Sequence, residues 1–123
     1  MAQNIDNSLW CCLEELHEDP EKRLRELREH TVPDEIATQK GVFSALANEK
    51  RLAILSILRS GECCVCELQA ALDIPQSTVA SHLRTLREAG LVTRRKEENW
   101  RYYRLADPVY GELLDLAMEA RAE

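Results

Sequence analysis

The 123-residue chain has no apolar run approaching the length of a membrane span. No basic stretch followed by an apolar core opens it, as a secretion signal would. These two absences lead us to expect a cytoplasmic protein. The chain also lacks a Gly-rich phosphate loop and a C-x-x-C pair beside a strand–helix unit, and no histidine neighbours its cysteines to act as a base. Those gaps argue against an enzyme such as a thiol oxidoreductase, and no catalytic residue is assigned.

Hydrophobic residues make up 45% of the chain and charged residues 31%, a balance that suits a globular protein with one small core. Five cysteines is an odd number, and without a secretory context a disulfide framework is not expected. Three of them, Cys63, Cys64 and Cys66, fall within four residues. Clustered thiols in a reducing compartment point to metal or redox chemistry. Sulfur is a soft donor, so thiolates suit Cd(II), Pb(II), Zn(II), Cu(I) and trivalent arsenic or antimony. The pair Cys11-Cys12 offers either two further ligands or apolar packing beside Leu9 and Leu13. His17 could join them, but on an acidic helix it reads as solvated.

Net charge is −6, which at first argues against DNA. The distribution reverses that reading. Residues 1–40 hold ten acids against five bases, and residues 105–123 five acids against one. Residues 77–104 instead hold seven bases (Arg84, Arg87, Arg94, Arg95, Lys96, Arg101 and Arg104) against three acids. A local basic patch is what phosphate neutralisation requires, whatever the total charge.

Most of the chain reads as helix. Ser8 can cap a first helix through Leu16, and Asp19-Pro20 restarts a second. Thr31 and Asp34 resemble a capping box opening a third helix to about Ala47. Asn48 can cap a fourth, which stops at Gly61. A short helix from about Val65 to Leu72, a turn at Asp73-Ile74-Pro75 and a helix from about Ser77 to Ala89 give a helix-turn-helix pattern. Val79, Leu83 and Leu86 form the apolar face of the last of these helices. Residues 91–105 read as a basic β-hairpin with its turn at Glu97-Glu98-Asn99. Asp107 and Pro108 cap a final helix whose apolar surface, with Leu113, Leu114, Leu116 and Ala117, suits a dimer seam. DNA contacts are expected from Gln76, Ser77, Thr78, Ser81, His82 and Arg84 on the helix, and from Arg95, Lys96 and Arg101 on the hairpin.

The run Phe43-Ser44-Ala45-Leu46-Ala47-Asn48-Glu49-Lys50-Arg51-Leu52-Ala53-Ile54-Leu55 resembles the opening signature of the ArsR/SmtB family of metal-responsive repressors. Glu62-Cys63-Cys64-Val65-Cys66-Glu67-Leu68 is similar to that family's ELCVCDL metal box, with Cys63 in place of leucine. Ser81 to Val92 resembles its recognition helix, and Arg101-Tyr102-Tyr103-Arg104-Leu105 the end of its wing. The resemblance covers roughly residues 32–120, with several motifs in order. It implies a mainly α, dimeric winged helix-turn-helix repressor over residues 32–123, preceded by a helical extension over residues 1–31. Such a protein binds operator DNA when metal-free and releases it on metal binding, with no permanently bound cofactor. A carboxy-terminal metal site of the kind some relatives use is not expected, because no histidine follows His82.

Cys63, Cys64 and Cys66 would suit trivalent arsenic or antimony within one subunit. Adding Cys11 and Cys12 across a dimer would favour Cd(II), Pb(II) or Zn(II). In an ideal helix Cys64 and Cys66 point about 200° apart, so ligation should distort the start of their helix. A repressor that reads oxidants or persulfide through the same cysteines is the alternative.

Overall fold

The computed structural model describes residues 7–121. These residues divide into two compact units, one up to Thr38 and one from Gln39. In the first, α1 spans Asn7–Leu16 and α2 spans Pro20–Glu29. Because α1 begins one residue ahead of Ser8, that serine lies inside the helix rather than at its cap; its side chain and that of Leu9 lie outside the described residues. The second helix restarts at Asp19-Pro20 as expected, and Asp19 caps it, its Oδ1 accepting from the Lys22 amide at 3.0 Å.

Helix α3 (Pro33–Leu46) does not open with a Thr31–Asp34 box. The Thr31 hydroxyl turns back and donates to the Arg28 carbonyl at 2.8 Å, so it closes α2 instead. Pro33 explains why: it occupies the first helical position and brings no N–H that would need a cap.

The second unit holds the core. Helix α4 (Glu49–Leu58) starts at Asn48, whose Oδ1 accepts from the Arg51 amide at 3.0 Å. A two-residue strand, β1 (Cys63–Cys64), leads directly into α5 (Val65–Leu72). Asp73 then takes a left-handed conformation, φ 52°, and Pro75 precedes α6 (Gln76–Glu88). Two antiparallel strands follow, β2 (Val92–Glu97) and β3 (Trp100–Leu105), and then α7 (Val109–Ala120). The hairpin turn is Glu98-Asn99 alone, because Glu97 stays in β2 opposite Trp100 and Glu98 takes the left-handed φ of 56°. Pro108 is the residue ahead of α7, and Asp107 before it accepts from the Val109 amide at 2.9 Å.

The sheet order is β1-β3-β2, with Cys63 opposite Tyr103 and Lys96 opposite Arg101. The strand β1 was not legible, since two residues carry no alternation to read. Ile54, Leu55, Leu68, Val79, Leu83, Leu86, Leu91 and Val92 are fully buried, and all three apolar positions expected of α6 are among them. Each such side chain is worth about 1.5–3 kcal/mol of burial. The result is α5 and α6 packed as a helix-turn-helix over α4, with a β-hairpin projecting after them. Among the described residues no helix is long and apolar enough to cross a membrane.

Candidate nucleic-acid interface and thiol site

Burying Val79, Leu83 and Leu86 turns the opposite face of α6 outward. Gln76, Ser77, Ser81 and Arg84 are exposed there, while Thr78 and His82 are half-buried. His82 is held from behind. Arg51 donates through Nε to the Ala45 carbonyl at 2.6 Å and through Nη2 to the Ser44 carbonyl at 3.2 Å, and its Nη1 lies 3.3 Å from His82 Nδ1. A guanidinium can only donate, so Nδ1 accepts and the ring proton sits on Nε2. Burial, and then the Arg51 charge, push the His82 pKa down. His82 is therefore a neutral brace between the end of α3 and α6, with its ring proton on Nε2.

The hairpin sorts its cations. Arg95 is engaged within the chain: its Nε and Nη2 reach the Glu62 carboxylate at 2.8–3.0 Å and Nη1 reaches Glu97 at 2.9 Å. Its guanidinium also lies 4.7 Å from the centre of the Tyr102 ring. These bonds raise the Arg95 pKa and hold Glu62 below the usual carboxylate range. Lys96 and Arg101 are exposed, lie opposite each other in register, and take part in no ion pair among the described residues.

The cysteines do not form one open cluster. Successive strand residues point to opposite faces. Cys63 joins the core beside its register partner Tyr103, with Sγ 3.7 Å from the Gly61 carbonyl. Burial first, and then the charges of Glu67, Cys64 and Glu62, push its thiol pKa up. Cys64 is half-buried and Cys66 exposed.

Cys64 is not a residue of the helix, as the 200° estimate assumed. It is the N-cap of α5, with extended φ −87° and ψ 167°, and forms a capping box with Glu67. The Cys64 amide donates to Glu67 Oε1 at 3.0 Å, which lowers the pKa of that carboxyl. Cys11 and Cys12 are exposed on α1 in the first unit. Among the described residues no group of three or more His, Cys, Asp or Glu side chains stands ready to hold a metal ion.

Cys64, Val65 and Cys66 line a cleft of about 350 Å³ together with Gln76 from the start of α6 and Lys96, Asn99, Trp100 and Arg101 from the hairpin tip. Sequence reasoning singled out the thiols, Gln76, Lys96 and Arg101; of these the fold brings Cys64, Cys66, Gln76, Lys96 and Arg101 to one cleft, and leaves Cys63, Cys11 and Cys12 out of it. It missed Arg51, Glu62, Asn99 and Trp100. Arg51 had a local signal in standing three residues after the Asn48 cap, but Glu62 and Arg95 are 33 positions apart.

The fold and this surface define a winged helix-turn-helix protein of the bacterial regulator type. Residues 48–94 match the family described as bacterial regulatory protein, arsR family. The arsenic resistance transcriptional regulator ArsR1 of Pseudomonas putida is 47% identical over 72 residues, covering 58% of this chain and 56% of that one. The arsenical resistance operon repressor of Bacillus subtilis is 38% identical over 73 residues, covering 58% and 70%. The homodimeric winged helix-turn-helix DNA-binding domain Mb0332 of Mycobacterium bovis, described as a possible ArsR-family transcriptional regulator, superposes with a TM-score of 0.64 at 34% identity, over 68% of this chain and 77% of that one. The chain belongs to the arsR family. It spans about half to three-fifths of the length of several arsenic-resistance regulators that it matches.

Proposed function

We propose that the protein is a homodimeric transcriptional repressor that binds operator DNA when ligand-free and releases it when Cys64 and Cys66 bind a soft ion. Trivalent arsenic or antimony, or a divalent ion such as Cd(II), Pb(II) or Zn(II), is the inducer class, with no resident cofactor. The observation that carries this reading is the shared cleft: Cys64 and Cys66 line it together with Gln76, Lys96 and Arg101, the groups offered to DNA. A ligand there cannot leave the DNA surface undisturbed.

On the DNA side, Gln76, Ser77, Thr78, Ser81 and Arg84 enter the major groove on α6. His82 supplies a neutral donor, and Lys96 and Arg101 neutralise phosphates. Arg95 serves instead to tie the hairpin to Glu62, next to the cysteine strand. The dimer seam is supported by α7, where Leu116 is 55% and Met118 64% exposed, and by the homodimeric M. bovis domain. Cys63 supports the core, and Cys11 and Cys12 of one subunit would provide extra sulfurs to the thiols of the other when a larger ion is bound.

Fluorescence anisotropy of operator DNA with reduced protein, titrated separately with arsenite and Cd(II), tests the reading. Release by arsenite supports a metalloid site at Cys64 and Cys66, and release by Cd(II) alone brings in Cys11 and Cys12. Binding without release by either, but with release on mild oxidation, points to a redox sensor. Absence of DNA binding overturns the proposal.

A further inference from the structure

The cleft beside Cys64 and Cys66 holds groups that coordination by two sulfurs would leave unused. We propose that it binds a small carboxylate-bearing thiol, which supplies the third sulfur to a trivalent arsenic or antimony ion held by Cys64 and Cys66. The inference rests on the thiolate reading above and adds the identity of the third ligand.

A trivalent metalloid takes three thiolates. Two of the clustered cysteines, Cys64 and Cys66, line the cleft, while Cys63 is packed in the core beside Tyr103 and is not part of its lining. The lining of the remaining space says what could bring the third. It contains two cations, Lys96 and Arg101, two side-chain amides, Gln76 and Asn99, and no aspartate or glutamate. Trp100, 52% exposed, adds an apolar wall.

Lys96 and Arg101 are direct cross-strand partners, and like charges so placed repel. Among the described residues neither has an acidic partner, so an anion between them relieves that repulsion. Carboxylates are the natural mates of an arginine fork, and the amides can bond a polar chain on either side. The cleft reaches these groups because β1 leaves the sheet after Cys64. The flank of β3 at Trp100 and Arg101 has no strand partner there among the described residues. At about 350 Å³ the space falls within the range of small-molecule sites.

The chemistry balances without a redox step. Arsenite, As(OH)3, exchanges its three hydroxyls for the sulfurs of Cys64, Cys66 and the small thiol. Three As–S bonds form, three As–O bonds break, and each thiol proton leaves with a hydroxyl as water. Arsenic stays trivalent. The carboxylates of the bound thiol then occupy Lys96 and Arg101, the two cations assigned to phosphate. Release of DNA follows by direct competition.

The full chain, reduced and free of DNA, is titrated with arsenite in the presence of glutathione, an acidic thiol, or cysteamine, a cationic one. Native mass spectrometry and arsenic–thiolate absorbance report binding. The expected species holds one arsenic and one glutathione per subunit, with arsenite bound at least about tenfold more tightly in glutathione than in cysteamine, as two charge-assisted contacts would give. The K96Q/R101Q double variant should bind arsenite equally in either thiol. Arsenic bound without glutathione, its third sulfur then coming from the protein, overturns the proposal, as does a preference that survives in K96Q/R101Q. The C64S/C66S variant separates the two levels: if it binds arsenite as well as the parent chain, the thiolate reading itself fails and this inference with it.

Discussion

Replacing Lys96 with glutamine should flatten the salt dependence of operator binding, and replacing Arg95 should not. The two residues are neighbours of like charge on β2, and sequence reasoning assigned both to phosphates. The structure separates them, with Arg95 bonded to Glu62 and Glu97 and Lys96 exposed without an ion pair among the described residues. Each phosphate contact contributes about 0.9 to the slope of log K against log salt. A homodimer presents Lys96 twice, so Lys96→Gln should lower the slope by about 1.8. Between about 50 and about 200 mM salt the parent protein should then lose about 12-fold more affinity than the variant does. Fluorescence anisotropy on one operator across that range measures both slopes. Arg95→Gln should leave the slope within error of the parent, because its charge is already balanced by two carboxylates. If Arg95→Gln flattens the slope as much as Lys96→Gln, the pairing does not persist on DNA and the sorting of the hairpin cations is wrong.

Leu83→Ala empties a fully buried position under α6 and should cost about 2–5 kcal/mol in urea unfolding, against about 1 kcal/mol for loss of the Asn48 cap in Asn48→Ala. Cys66→Ser should keep operator affinity and lose release by arsenite, whereas Cys63→Ser should lower the melting temperature and keep release, because Cys63 sits in the core. Titrations of both variants beside thermal melts would show a reversed pattern if the roles were exchanged. The lowered His82 pKa means that the unfolded chain binds its proton more readily than the folded one. Its contribution to stability is therefore complete above about pH 6.5 and is lost as pH falls from there towards the lowered folded value. His82→Gln should make the melting temperature less sensitive to acid over that window; an unchanged pH profile would refute the Arg51–His82 brace.

Local chemistry made most of the fold readable. The bounds of α5, Val65–Leu72, follow from the Asp73-Ile74-Pro75 turn, and the hairpin from its β-prone runs around a polar turn. Thr31 misled because a hydroxyl can bond backward to a carbonyl as readily as forward to an amide, and only the chain's path decides which. The site was harder. That Cys63 faces the core while Cys64 caps a helix depends on a two-residue strand pairing with β3 about 40 positions later. The engagement of Arg95 depends on Glu62, which reaches it through that same pairing. Sequence spacing could name the thiols and the cations, but which of them meet is a property of the sheet register.

That register also suggests how ligand and DNA are coupled. Cys64 belongs at once to β1 and to the cap of α5, so an ion that pulls on its sulfur acts on both elements. On one side it would strain the capping box with Glu67, at the start of the helix packed against α6. On the other it would shift β1, and with it Glu62, two residues back and bonded to Arg95 in the wing. The expected signature is a division of labour. Glu62→Gln should leave arsenite binding and ligand-free DNA binding near the parent values, since Glu62 lies outside the cleft lining and Arg95 is not assigned to phosphate. It should reduce the factor by which arsenite weakens DNA, a coupling typically 5- to 150-fold, or about 1–3 kcal/mol, in allosteric proteins. Measuring DNA affinity with and without saturating arsenite in parent and variant closes that cycle. A coupling factor unchanged in Glu62→Gln would leave the α5 cap and direct competition in the cleft as the routes from thiol to DNA.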